Sequence, residues 1–198
     1  MKKIVLAAAA ISMLSGFVFA QNRSEINVKA GLANAAYNSV SYQGDKLSSD
    51  GFSASAGAEF LYDLNTAVKV GFGAKYVVNS MKNEYWNDYS GSQSLLPVYA
   101  TLQLNPIPAD KKIFFKGNIG YNPLKNDIAN FLGVPVNMQG TLLSGDNKGG
   151  LYWGAEAGYE FKSGVIFGVS YDTFYFDYAG MKIVNGTLGA TLGYKFRL

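Results

Sequence analysis

Cysteine and histidine are both absent from the 198 residues, and there are only two tryptophans and five prolines. Without cysteine the chain has neither a disulfide framework nor thiol chemistry. A metal would have to be held by oxygen ligands alone, and the acids of the longer connections (Asp45, Asp50, Glu84, Asp88, Asp127, Asp146) are scattered rather than spaced as a calcium loop. The missing histidine removes the usual general base and with it histidine-dependent catalysis. "GFGAKY" lacks the third glycine of a dinucleotide loop and "SGDNKGG" lacks the spacing of a phosphate loop. No catalytic residue, metal or cofactor is expected. Charge of one sign is missing too: 17 bases face 14 acids, a balance that argues against a nucleic-acid partner.

Long hydrophobic runs are confined to the beginning. Lys2 and Lys3 precede "IVLAAAAISMLSGFVFA", which holds no acid and no further base and ends with Val18 and Ala20 at the positions a signal peptidase reads. Residues 1–20 are expected to be a signal peptide cleaved after Ala20, leaving one exported domain over 21–198. The run is short for an uncleaved anchor, since a spanning helix needs about 20 apolar residues. After residue 20 no apolar stretch is long enough for a spanning helix.

What remains is sheet-like. The chain carries 14 Tyr, 13 Phe and 23 Gly, residues that suit pleated surfaces and tight turns. Period-two alternation divides it into eight segments, near 25–37, 51–64, 68–79, 95–105, 112–122, 150–161, 164–177 and 183–198. Short connections at 63–66, 105–112 and 161–164 alternate with longer ones at 38–50, 80–94 and 123–149 and a brief one at 177–182. This rhythm predicts an all-β fold, an eight-stranded antiparallel up-and-down barrel with the short turns and both ends on one side.

The polar parity carries Glu25, Lys29, Glu59, Asp63, Lys69, Lys75, Lys116, Glu156, Glu160, Asp172, Lys195 and Arg197, interleaved with Gly and Ser. A solvent-facing surface tolerates charge without needing glycine, whereas a narrow interior shared by long charged side chains requires it. The charges are therefore placed inside the barrel and the apolar parity against lipid. Glu25 is expected to meet Lys195 or Arg197 where the sheet closes, and Glu59 to meet Lys69 across a hairpin. Glu156 and Glu160 face one lumen and are expected to neutralise bases there rather than to act as an acid and base pair. Phe60, Tyr62, Tyr159, Phe161, Tyr194 and Phe196 at the lower strand ends, and Tyr76, Tyr121, Trp153 and Tyr171 near the upper ends, form two expected girdles at the lipid headgroups.

This pattern resembles the small eight-stranded outer-membrane β-barrel family, which includes the membrane domain of OmpA and the OmpX and Ail proteins. The resemblance covers residues 21–198. It implies a transmembrane barrel in the bacterial outer membrane, monomeric, with lipid and the barrel-assembly machinery as partners. It also implies that the last strand is the assembly signal, carried here by Tyr194, Phe196 and Leu198, with Leu198 standing where the family usually has Phe. Small outer-membrane enzymes of similar shape rely on a histidine base, which this chain does not have.

Eight strands leave an interior about wide enough for side chains alone, so the loops are the place for a specific activity. "SMKNEYWNDYSGSQS" carries Tyr85, Trp86 and Tyr89 among amides and hydroxyls, a composition suited to contact with protein or glycan. In "NPLKNDIANFLG", Asn122 and Pro123 can open a short helix and Gly133 end it, with Phe131 on its apolar face. The expected function is structural or surface interaction with a host or neighbouring-cell protein or glycan, through adhesion or resistance to host defence. A narrow pore for small solutes and a secreted lipocalin-like carrier are the alternatives.

Overall fold

The computed structural model describes residues 23–42, 45–48, 50–83, 89–107, 112–124, 150–178 and 181–198. Among these residues there are ten strands: β1 (Ser24–Tyr42), β2 (Asp45–Ser48), β3 (Asp50–Asp63), β4 (Val68–Asn83), β5 (Tyr89–Leu95), β6 (Val98–Leu104), β7 (Ile113–Asn122), β8 (Gly150–Glu160), β9 (Val165–Tyr178) and β10 (Met181–Arg197). Each pairs antiparallel with its neighbours, and β1 closes on β10 over a ladder from Glu25↔Arg197 to Ser41↔Lys182. β5 and β6 together make one wall strand, and β2 pairs only with the upper end of β1, so the wall is a closed eight-stranded barrel.

The break between β5 and β6 follows from Pro97, which has no N–H for a ladder bond. The neighbouring backbone is satisfied differently: Leu96 N donates to Asn122 Oδ1 at 2.6 Å and Lys75 N donates to the Pro97 carbonyl at 3.2 Å. Asn122, expected to cap a helix, thus ends β7 and holds this break; residues 125–133 lie outside the described residues. The short connections, 64–67, 105–112 and 161–164, and the outer ends of β1 and β10 lie at the same end, the lower end. Asn65 Oδ1 accepts the N–H groups of Ala67 and Val68 to set the first turn, and Gly164 supplies the positive φ of 89° that the third one needs.

The barrel is taller than the alternation suggests. Residues 38–42, 45–48, 80–83 and 89–94, expected in loops, are strand. After Tyr89, "SGSQS" is small and polar on both faces and carries no period-two signal, and "SVSY" alternates over only four residues, yet ladders with β4 and with β2 satisfy their backbones.

The two faces separate as the alternation requires. Val28, Leu32, Phe52, Leu102, Ile119, Leu188 and Leu192 point outward and are exposed, as are Tyr76, Tyr121, Tyr175, Tyr159, Phe161, Tyr194 and Phe196. Tyr159 meets Phe161, and Tyr194 meets Phe196, edge to face at 5.0 and 4.9 Å in the lower girdle, while Trp153 and Tyr171 lie 5.6 Å apart higher up. Phe60 shares the outward face with its cross-strand partner Phe72, 5.4 Å away, but is itself covered rather than exposed. The core is the lumen itself. Its upper part is filled mainly by Val77, Leu95, Phe174, Phe176 and Ile183, with the buried polar Ser53, Asn79 and Asn185 among them, and its middle and lower parts carry the buried charges.

Candidate functional site: the charged barrel interior

Inward positions on six strands build the central layer. Glu59 of β3 accepts Lys29 of β1 at 2.8 Å and Lys116 of β7 at 2.7 Å, and the Glu59 and Lys116 side chains are 1% exposed. Lys29 also reaches Glu156 of β8 at 2.5 Å. Thr191 of β10 donates to the other Glu156 oxygen at 2.9 Å, and the Tyr99 hydroxyl donates to Glu59 at 3.0 Å. Two acids thus balance two bases, with hydroxyls filling remaining lone pairs, the condition under which buried charge is tolerated.

A second cluster sits beside it, where Lys75 pairs with Asp172 at 2.6 Å, Tyr152 donates to the same carboxylate at 2.6 Å, and the Lys75 ammonium lies 4.8 Å from the centre of the Tyr152 ring. At the lower mouth Lys69 holds Glu25 at 2.6 Å and Asp63 at 3.5 Å, and Lys195 pairs with Glu160 and stands 3.8 Å from Glu25. Arg197 is exposed there and lines, with these residues, a cavity of about 440 Å³. Above it the described residues line smaller voids of about 40 and 10 Å³ between the charged layers.

Glu25 therefore lies beside Lys195, with Lys69 closer still. Glu59 does not meet Lys69. The hairpin register sets Glu59 opposite Gly73 and Lys69 opposite Asp63, which separates the two by four residues, about 13 Å along the strand. Alternation placed both on one face without counting the register. The interior also holds aromatic partners that were not anticipated, Tyr99 and Tyr152, whose rings lie 5.4 Å apart. Tyr152 shares the parity of Glu156 and Glu160, a signal present in the sequence.

Glycines make room for these side chains. A Cβ on Gly73 would fall 2.8 Å from the Tyr99 ring and 2.9 Å from Glu59 Cγ, and one on Gly154 would fall 2.6 Å from both Asp172 Oδ1 and the Tyr152 hydroxyl. Gly73→Ala is accordingly expected to destabilise the barrel by about 1–3 kcal/mol through overpacking, seen as a lower urea midpoint for unfolding from micelles. A wild-type midpoint would show that the Tyr99–Glu59 contact has slack.

Tyr85, Trp86 and Phe131 lie outside the described residues, and Tyr89 begins β5. Tyr194, Phe196 and Leu198 all face outward and are exposed. No helix among the described residues is long and apolar enough to cross a membrane, and no cluster of three or more acids among them is arranged to hold a metal.

Comparisons with known proteins bear on the fold. A family profile described as "Outer membrane protein beta-barrel domain" matches residues 5–196. The outer membrane protein OprG from Pseudomonas aeruginosa is 16% identical, with a TM-score of 0.50 over 89% of this chain and 98% of its own. Neisserial surface protein A is 17% identical, with a TM-score of 0.48 over 86% of this chain and 97% of its own. Ail, the attachment invasion locus protein of Yersinia pestis, solved in complex with the heparin analogue sucrose octasulfate, is 18% identical, with a TM-score of 0.46 over 88% and 99% of the two chains. No curated protein sequence matches the chain. With a family match over nearly its whole length and a closed barrel that is apolar outside and charged within, the chain belongs to the outer membrane protein β-barrel family and is a protein of the bacterial outer membrane.

Proposed function

We propose that this protein is a non-enzymatic, monomeric surface protein that contacts a protein or glycan of host or neighbouring cells through its outer connections, with the barrel as a sealed scaffold. The observation that carries this reading is the transverse charge layer of Lys29, Glu59, Lys116 and Glu156. It crosses the lumen between β1, β3, β7 and β8, and the cavities that the described residues line beside and just above it are small, about 40 and 10 Å³. A solute path would need that layer broken, so specific activity falls to the end away from the short turns. There the aromatic-bearing stretch of Tyr85, Trp86 and Tyr89 joins β4 to β5.

The test has two arms. In planar bilayers the purified protein is expected to give no single-channel steps, and steady conductance would turn the reading toward a narrow pore. In a binding screen, cells displaying the protein are expected to adhere to host-cell or matrix surfaces more than cells without it. Replacing Tyr85, Trp86 and Tyr89 with Ser should abolish that adhesion while leaving heat-resistant folding unchanged. Adhesion that survives the triple substitution would move the contact to the connection containing Phe131.

Export is proposed to begin with cleavage after Ala20, so amino-terminal sequencing of outer-membrane protein should start at Gln21. A sequence starting at Met1 would make residues 1–20 an anchor instead.

A further inference from the structure

The closing seam between β1 and β10 poses a register problem that side-chain alternation does not solve. On β10 the inward residues Thr187, Gly189, Thr191 and Gly193 are small, and the outward residues Leu188, Ala190, Leu192, Tyr194 and Phe196 are apolar or aromatic. A slip of one residue would turn every side chain to the wrong face, but a slip of two keeps inside in and outside out. Strands rich in glycine specify such registers weakly. Something must distinguish the observed seam, with Lys29 opposite Gly193, from its two-residue neighbours.

Lys29 is built to do so. Its stem lies over Gly193, where a Cβ would come within 2.6 Å of Lys29 Cγ. Its ammonium spans the lumen from Glu59 at 2.8 Å to Glu156 at 2.5 Å. Glu156 is in turn fixed to β10, because Thr191 donates to its second oxygen at 2.9 Å. That bond passes across β9 at Gly168, where a Cβ would lie 2.7 Å from Glu156 Oε1 and 2.8 Å from Thr191 Oγ1. Slipping β1 by two residues along β10 would set Lys29 against Thr191 or Lys195, both of which carry the Cβ that Gly193 lacks. It would also draw the ammonium about 7 Å along the strand from Glu156. Backbone hydrogen bonds would be remade in the slipped ladder; the Lys29 slot and its ion pair would not.

We propose that Lys29 is the register key of the closing seam, seated in the slot left by Gly193 and caught by a Glu156 carboxylate that Thr191 holds to β10. The role is one of positioning: the residue selects which closed barrel forms, apart from how stable the barrel is once closed.

Because the chain has no cysteine, engineered pairs report the register directly. Full-length protein is refolded into phospholipid vesicles, oxidised, and resolved as the heat-resistant folded band. Ala30→Cys with Leu192→Cys tests the native pairing, and Ala30→Cys with Ala190→Cys or with Tyr194→Cys tests the two slips. In the otherwise wild-type chain only the native pair should cross-link. Adding Lys29→Met, which keeps the stem and removes the charge, should bring out a slipped cross-link at the expense of the native one. Adding Thr191→Val should do the same more weakly. Folded Lys29→Met protein that forms only the native cross-link overturns the proposal. Should Lys29→Met fail to fold, Thr191→Val and Glu156→Gln are decisive in the same assay: slipped cross-links uphold the key, and an unchanged native pattern in both overturns it.

Discussion

Replacing Glu59 with glutamine is expected to cost the folded barrel about 3–5 kcal/mol, because it leaves two buried ammonium groups, Lys29 and Lys116, with the single carboxylate of Glu156 between them. Glutamine retains the shape and an acceptor for Tyr99, so the loss reports charge rather than a cavity. The informative comparison is the double variant with Lys116→Met. Removing both partners restores neutrality to the layer, since Lys29 still faces Glu156 at 2.5 Å. The double variant should therefore be more stable than Glu59→Gln alone, although it carries more changes. Urea unfolding from micelles, followed by tryptophan fluorescence from Trp86 and Trp153, measures the cycle. Losses that simply add would mean that Glu59 and Lys116 stabilise the barrel independently, whatever their separation.

Deletion of Phe196 to Leu198 is expected to have the largest effect on the cell, a near-complete loss of inserted protein with the chain left degraded or aggregated in the periplasm. Two causes act together. The deletion removes the ladder pairs Ile26↔Phe196 and Glu25↔Arg197 and the bond from Leu198 N to the Ser24 carbonyl at 3.0 Å, which close the seam at its lower end. It also removes two of the three outward residues, Phe196 and Leu198, that the resemblance to small outer-membrane barrels identifies as the assembly signal. Leu198→Phe separates these causes. It restores the residue usual in the family without touching the ladder, so it should leave insertion unharmed or improve it. Surface biotinylation and the heat-dependent shift on gels read both variants. Normal insertion of the truncated chain would show that neither the lower seam nor the signal is needed.

The sequence alone determined the class of fold and the sign of its faces, for a local reason. Alternation of side chains is a property of each strand taken singly, so Val68, Val70 and Phe72 against Lys69, Gly71 and Gly73 reads the same whether or not the partner strand is known. The lack of histidine and cysteine is likewise read without geometry, since composition needs none. Strand extent was less legible where large apolar residues are few, at 38–42, 45–48 and 89–94. There the ladder with a neighbour, and not the residues themselves, decides that the chain is strand.

Only the tertiary structure decided who meets whom inside. Glu59 takes Lys29 and Lys116 rather than Lys69, and Lys29 and Glu156 join across 127 residues of chain, because stagger and closure of the barrel place inward positions of distant strands at one height. Gly73 and Gly193 have their meaning only there: each is an inward position next to a side chain from another strand that fills the volume a Cβ would need. A period of two says which way a residue points. The height at which it meets its partner is a sum of registers around the whole barrel, and that sum exists only once the sheet has closed.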